Sequence, residues 1–128
     1  MIAVDTNVLV RALVDDPGAP RQTAAARAKL KRAGEVFVPQ VVQAETVWVL
    51  EAAHELNKSQ VISVLEHLAE NSAFDLQGRA AFEAALAEYR DGTADFADYL
   101  ILAESRARKA ALLTFDKRIL KAKDTETP

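Results

Sequence analysis

The sequence predicts an α/β protein in three layers, with helices on both faces of a short, mostly parallel central sheet. Short apolar and β-branched runs alternate with helical stretches of about ten residues or more, which is typical of a parallel sheet. Proline and glycine separate these segments where helices usually begin and end. The chain has 128 residues, without a repeat or a linker, so we expect residues 1–128 to form a single domain.

The N-terminal half of the chain carries two predicted strands and three predicted helices. The apolar run before Asp5 predicts a buried strand. Pro20 suits the first position of a helix, and Gly34 suits the position just after one. In order, we expect a strand at Ile2–Asp5, a helix at Thr6–Val14, a helix between Pro20 and Gly34, a strand at Val36–Val38 and a helix at Gln40–Leu56.

The C-terminal half continues the alternation with two further strands. Apolar residues recur at helical spacing after Asn57, which suits the cap of that helix. The elements expected after this helix are a strand at Ala73–Leu76, helices at Arg79–Tyr89 and Asp95–Lys109, a strand at Ala111–Phe115 and one helical turn at Lys117–Leu120. Residues 123–128 are polar and are expected to fray.

Composition and charge exclude several classes of protein. The absence of cysteine excludes disulfides, thiolate metal sites and a cysteine nucleophile. A net charge of −3 excludes a basic coat, so nucleic acid would have to be bound through a local patch or a metal. Asp5 interrupts the apolar start of the chain, and no apolar run approaches the roughly 20 residues of a membrane span. We therefore expect a cytoplasmic protein that does not contact a membrane.

Two carboxylates stand at the ends of predicted strands. Asp5 ends the first strand and Asp116 ends the last. Ligands of open α/β sheets bind outside the carboxyl ends of the strands, so both acids point to the usual active-site edge. The alternative for each residue is an ordinary role as the cap of the helix that follows.

Glu45 lies on an otherwise apolar stripe of its predicted helix. Val41, Trp48 and Ala52 share this stripe, which predicts that Glu45 faces inward and that Trp48 belongs to the core. A buried carboxylate without a partner costs several kcal/mol, so it has to be paired, metal-bound or protonated. The alternative is that Glu45 is simply favoured by the dipole at the start of the helix.

Asp98 also shares an apolar face, because Ile101, Leu102 and Ser105 follow it at helical spacing. Asp95 lies one turn earlier and is explained by a capping role. Clustered carboxylates repel and converge only around a cation. A site built from carboxylate oxygens favours Mg²⁺ or Mn²⁺ over Zn²⁺.

Four short blocks surround these acids in the order Val4–Val10, Gln43–Glu45, Asp95–Asp98 and Leu113–Asp116. Together they resemble the blocks of PIN domains, and the nearest resemblance is to the small VapC-type toxins of bacterial toxin–antitoxin pairs. The resemblance extends from Ile2 to about Leu120. It implies a metal-dependent ribonuclease with a PIN-like α/β/α fold and an acidic pocket.

The resemblance also implies a role for each matching residue. The catalytic and metal-binding acids would be Asp5, Glu45, Asp98 and Asp116. The supporting residues would be Thr6, Asn7, Asp95 and Thr114. Cations close to these acids are candidates for contacts with RNA, and they are Arg11, Lys117 and Arg118.

The activity implied is that of an Mg²⁺-dependent endoribonuclease, with Mn²⁺ as a second suitable ion. Water activated by the metal would hydrolyse the RNA phosphodiester and leave a 5′-phosphate. Toxins of this kind usually form homodimers, and a small VapB-type antitoxin inhibits them.

Two alternatives remain open at this point. The first is a catalytically silent domain that keeps the PIN fold and binds a partner. The second is a metal-dependent phosphatase of the haloacid-dehalogenase type, which also begins with a strand-end aspartate. That class needs a second aspartate two residues later, where this chain has Asn7.

Overall fold

A computed structural model of the protein describes all residues from 1 to 128. It contains six α-helices and five short strands, and the predicted α/β class with a short parallel sheet is confirmed. The chain divides into an N-terminal unit, Met1–Gln77, and a C-terminal unit, Gly78–Pro128. The expectation of a single domain stays a prediction.

The N-terminal unit is built on a parallel sheet of three strands. Its elements are β1 (Ile2–Ala3), α1 (Thr6–Leu13), α2 (Pro20–Ala33), β2 (Val36–Val38), α3 (Gln40–Ala52), α4 (Lys58–Glu70) and β3 (Phe74–Leu76). The strands lie in the order β1-β2-β3, with Ile2 opposite Val36 and Val36 opposite Phe74. Each strand-to-strand connection contains two helices, as parallel pairing requires.

The C-terminal unit consists of two helices and a separate pair of strands. Its elements are α5 (Arg79–Asp91), α6 (Phe96–Ala107), β4 (Leu112–Leu113), a 3₁₀ turn (Ile119–Lys121) and β5 (Thr125–Glu126). The strand predicted at Ala111–Phe115 does form as β4, but it is hydrogen-bonded to β5 and not to the three-stranded sheet. The rings of Phe82 and Phe96 pack edge to face between α5 and α6, with centroids 5.6 Å apart.

The end of the chain is more ordered than its polar composition predicts. Thr125 and Glu126 form a strand, so the expected fraying does not extend to them. Arg106 contributes to this order, because its Nε donates to Asp124 Oδ2 at 3.1 Å and its Nη2 donates to the Lys123 carbonyl at 2.7 Å. The local hydrophobic pattern predicts neither the backbone pairing of this segment nor its hydrogen bonds with the distant Arg106 guanidinium.

Local signals place most helix ends where they were expected. Pro20 begins α2, and Gly34 ends it with a φ of 77°, a conformation that glycine adopts without strain. Asn57 caps α4 through a reciprocal pair of hydrogen bonds with Gln60. The predicted helix at Gln40–Leu56 is shorter in the structure and ends at Ala52.

The orientation predicted for α3 is wrong. Val41 and Trp48 are each 70% exposed, and Glu45 between them is exposed as well. The opposite face is buried and consists of Val42, Gln43, Thr46, Val47 and Leu50. Apolar residues occur all around this helix, so its periodicity does not define a single inward face.

Gln43 joins the buried face of α3 to the ends of two strands. Its side chain is fully buried, and its Nε2 donates to the carbonyl of Val38 at 3.2 Å and to that of Gln77 at 2.9 Å. Val38 is the last residue of β2 and Gln77 directly follows β3, so one amide group ties the start of α3 to the sheet edge. This contact determines where Glu45, two residues later, is presented.

No helix of the structure combines the length and the apolar character that crossing a bilayer would require.

Replacement of Gln43 by methionine should destabilise the protein by about 1–3 kcal/mol, because it removes two hydrogen bonds: the Gln77 carbonyl loses its side-chain donor, and the Val38 carbonyl keeps only the amide of Gln77. Leu50→Met provides the control, since it also places methionine on the buried face of α3 but breaks no hydrogen bond; it should cost less than about 1.5 kcal/mol. Urea unfolding of both variants measures the difference. Equal losses would show that Gln43 acts only through packing.

Candidate functional site

Asp5 lies directly after β1 and caps α1. Its Oδ1 accepts a hydrogen bond from the amide of Val8 at 3.0 Å, so the ordinary capping role is present. The carboxylate is nevertheless exposed at the carboxyl end of a parallel strand, which is where ligands of α/β proteins bind. A cap bond uses only part of its acceptor capacity, so both roles are compatible.

Glu45 is held by a side chain from the start of α1. The hydroxyl of Thr6 donates to Glu45 Oε1 at 2.9 Å. Because Glu45 is exposed, the expectation that burial forces this carboxylate to find a partner is wrong. The hydrogen bond instead joins Glu45 of α3 to the residue that directly follows Asp5. Asp5 and Glu45 therefore lie near each other.

A cavity of about 410 Å³ opens beside α1, and Asp5, Asn7 and Arg11 contribute to its lining. Arg11, a candidate for RNA contact, already makes an ion pair and a hydrogen bond within the N-terminal unit. Its Nη1 lies 3.1 Å from Asp16 Oδ2, and its Nε donates to Gln22 Oε1 at 2.9 Å. Asn7 is exposed beside this cavity.

Three carboxylates of the C-terminal unit interact where α6 begins and β4 ends. Asp95 stands at the N-cap position of α6 but makes no capping bond with its side chain, so the expected capping role is absent. Asp98 follows in the first turn, half-buried. Burial raises the pKa of Asp98, and the negative charges of Asp95 and Asp116 raise it further.

Arg118 is the counter-ion of two of these three acids. Its Nη2 lies 2.9 Å from Asp116 Oδ2 and 3.3 Å from Asp95 Oδ2. Its backbone amide also donates to Asp116 Oδ1, at 2.8 Å. The side-chain and backbone hydrogen bonds from Arg118 lower the pKa of Asp116. The sequence pattern indicated Arg118 only as a candidate RNA contact; its position two residues after Asp116 was the available signal for this pairing.

Thr114 and Lys117 flank Asp116 on either side. The Thr114 hydroxyl accepts a hydrogen bond from the amide of Asp116 at 3.0 Å and so shapes the turn after β4. Lys117 is exposed and has neither a hydrogen bond nor an ion pair. It is the candidate RNA contact whose charge is available.

The chemistry of these donors fits a hard divalent cation, because every acidic group supplies oxygen and Asp98 carries unrelieved repulsion from its neighbours. Their placement does not form a finished ligand set. Nowhere do three or more His, Cys, Asp or Glu side chains form a group that could hold a metal ion as they stand. Asp95 and Asp116 instead direct oxygens at Arg118.

The sequence matches the family described as PIN domain over residues 2–125. This chain belongs to the PIN domain family. PIN domains are generally nucleases that act on RNA or DNA, and they typically bind divalent metals. No curated protein matches the chain. PIN membership favours a nuclease over the phosphatase alternative, while the narrower assignment to VapC-type toxins stays a prediction.

Asp98→Asn should raise the stability of this PIN domain at neutral pH, because it removes a charge that Asp95 and Asp116 repel. We expect a gain below about 1 kcal/mol, since solvent screens partly exposed charges. Because the folded-state pKa of Asp98 is raised, the contribution of this residue to stability is fully present below about pH 4 and is lost as Asp98 ionises at higher pH. The gain should therefore vanish in acid.

Thermal melts between pH 3 and pH 8 measure this effect. Asp75→Asn, at an exposed position in β3, makes the same change of charge and is the control. A loss of stability in the Asp98 variant at pH 7 would contradict the electrostatic interpretation.

Proposed function

We propose that this protein is an Mg²⁺-dependent endoribonuclease, also active with Mn²⁺, that hydrolyses RNA phosphodiester bonds by metal-activated water. One observation carries the proposal: in a chain of the PIN family, three carboxylates crowd at the start of α6 and the end of β4. Crowded acids are stable when a cation binds among them. RNA, the substrate implied by the sequence blocks, is a polyanion that such a cation can attract.

The proposed catalytic and metal-binding residues come from both units and are Asp5, Glu45, Asp98 and Asp116. The proposed supporting residues are Thr6, Asn7, Thr114 and Asp95. The observed hydrogen bonds agree with these roles, because Thr6 holds the Glu45 carboxylate and Thr114 holds the amide of Asp116.

A bound divalent ion would supply water activation and would stabilise negative charge that develops at the scissile phosphate. The residues of the chain have a different task. Thr6 limits the rotation of the Glu45 carboxylate, and Thr114 fixes the backbone turn that carries Asp116; pre-oriented groups lose less entropy when they bind. Lys117, exposed and unpaired, is placed to contact an RNA phosphate near Asp116.

We further propose that the nuclease is the toxin of a toxin–antitoxin pair and acts on RNA in the cytoplasm. The support is the resemblance of its four sequence blocks to VapC-type toxins. A VapB-type antitoxin would inhibit it, and an arginine of such a partner would suit the carboxylates in charge and geometry.

A homodimer is the proposed form of the free protein. Val41 and Trp48 are each 70% exposed on the outer face of α3. Large apolar side chains that share one exposed helix face often mark an interaction surface. Glu45 lies between them on the same face, so a partner copy seated there would border the proposed site.

A catalytically silent, partner-binding domain is the second candidate function. The observation in its favour is that no three acidic side chains stand ready to hold a metal ion. Metal-dependent cleavage of RNA separates it from the nuclease.

Purified protein should cleave RNA with Mg²⁺ or Mn²⁺ and should stop when the metal is chelated. Asp5→Asn and Asp98→Asn should each lower the rate by about 10²–10³-fold, the usual effect of losing a group that supports transition-state charge. Asp75→Asn is the control, because it removes one charge from an exposed strand position. Folded wild-type protein that cleaves none of a panel of structured and single-stranded RNAs with either metal would favour the silent domain.

Expression together with the small open reading frame beside its gene should yield a complex that co-purifies and cleaves RNA at least about tenfold more slowly. The physical reason is that an antitoxin arginine would occupy the acidic groups. Cleavage assays before and after partner removal measure the inhibition. A nuclease that neither binds nor responds to that product would contradict the toxin assignment and leave the nuclease proposal intact.

A further inference from the structure

Arg118 occupies the position between two carboxylates that a cation would be expected to take. Its Nε lies 3.2 Å from Asp116 Oδ1, and its Nη2 lies 2.9 Å from Asp116 Oδ2. The far side of the same guanidinium reaches Asp95, with Nη1 at 3.5 Å from Oδ1 and Nη2 at 3.3 Å from Oδ2. All four carboxylate oxygens of this pair therefore face one arginine.

These contacts compete with metal coordination. A divalent ion such as Mg²⁺ needs carboxylate oxygens at about 2.0–2.1 Å and in a near-octahedral arrangement. A guanidinium bound in a fork to Asp116 occupies one lone pair on each carboxylate oxygen, and the backbone amide of Arg118 occupies a second on Oδ1. The positive charge of Arg118 beside these oxygens also repels a divalent ion, so metal and guanidinium compete for Asp116.

We propose that Arg118 is a built-in counter-ion that competes with the divalent cation for Asp116 and Asp95, and that metal binding releases it to contact an RNA phosphate. This inference rests on the proposed nuclease function. It explains why the acids do not form a finished ligand set, since two of the three carboxylates in the C-terminal unit are turned toward the arginine.

Arg118 has both the freedom and the space to leave. Its side chain is 49% exposed, and ion pairs at such positions are weak because solvent screens them. A cavity of about 560 Å³ adjoins it, with Glu88 and Lys121 among the lining residues. The displaced side chain can therefore move without disturbing the core.

The chemistry of arginine also suits the released state. A guanidinium binds a phosphate through two parallel hydrogen bonds, as it binds the Asp116 carboxylate here. The charge balance is kept when the cation replaces the guanidinium at Asp116 and the phosphate replaces Asp116 at Arg118. The exchange would make tight RNA binding dependent on prior binding of the metal.

The test measures Mn²⁺ affinity by electron paramagnetic resonance, which needs no turnover. Arg118→Gln should bind Mn²⁺ about three- to tenfold more tightly than Lys117→Gln, a factor matching the loss of one or two exposed ion pairs. Lys117→Gln removes the same charge from the neighbouring, unpaired residue and so corrects for the general electrostatic effect. Arg118→Lys, which keeps the charge but loses the fork, should be intermediate.

A second readout measures binding of a short fluorescent RNA by anisotropy, with Ca²⁺ replacing Mg²⁺ to limit cleavage. Calcium should strengthen RNA binding by wild type at least about threefold more than by Arg118→Gln, because only wild type gains a released guanidinium. Tighter metal binding together with weaker metal-stimulated RNA binding is a combination that a purely structural arginine would not produce. Circular dichroism confirms that each variant is folded.

The outcomes distinguish the two proposals. Equal Mn²⁺ affinity in the Arg118→Gln and Lys117→Gln variants, or weaker affinity in Arg118→Gln, would overturn the role of Arg118 and leave the nuclease intact. Failure of wild type and all variants to bind Mn²⁺ would overturn the metal-dependent nuclease itself, and the competition with it.

Discussion

Repulsion between carboxylates is the constraint on which the candidate site depends. Asp95 and Asp98 stand at the start of α6 and Asp116 follows β4, yet the three lie close enough for the pKa of Asp98 to rise under the charge of the other two. The fold tolerates this arrangement because Arg118 neutralises part of the charge at Asp95 and Asp116. The proposed metal-binding function would therefore oppose stability at this site, as often happens where acids are gathered to bind a cation.

The two candidate acids of the N-terminal unit, Asp5 and Glu45, differ from this cluster. Both are exposed, and each accepts one side-chain hydrogen bond. Asp5 accepts from the start of α1, and Glu45 accepts from Thr6. The position of Glu45 depends in turn on Gln43, whose buried amide ties α3 to carbonyls at the carboxyl ends of two strands. Helices and strands thus position these acids through a few identifiable hydrogen bonds, which favours pre-organised binding.

The predictions for α3 and for the chain end failed for related reasons. Apolar residues surround α3, so the choice between burying Trp48 and burying Leu50 was made by the sheet and neighbouring helices. Thr125 and Glu126 are polar, yet they form a strand because β4 offers free backbone groups and Arg106 binds the preceding turn. Neither partner lies within the window that a local pattern describes.

The amino-acid sequence by itself determined the α/β class, most helix ends and the identity of the acids, because these depend on nearest neighbours, on capping chemistry and on motifs read in order. Only the tertiary structure decided which face of α3 is exposed, which strand pairs with β4 and which cation faces Asp116. These outcomes depend on contacts between residues that are far apart in the sequence. Alternative contacts of this kind have comparable energies, so only the folded chain shows which of them form. Arg118 illustrates the difference: its charge is evident in the sequence, but its engagement by two carboxylates exists only in three dimensions.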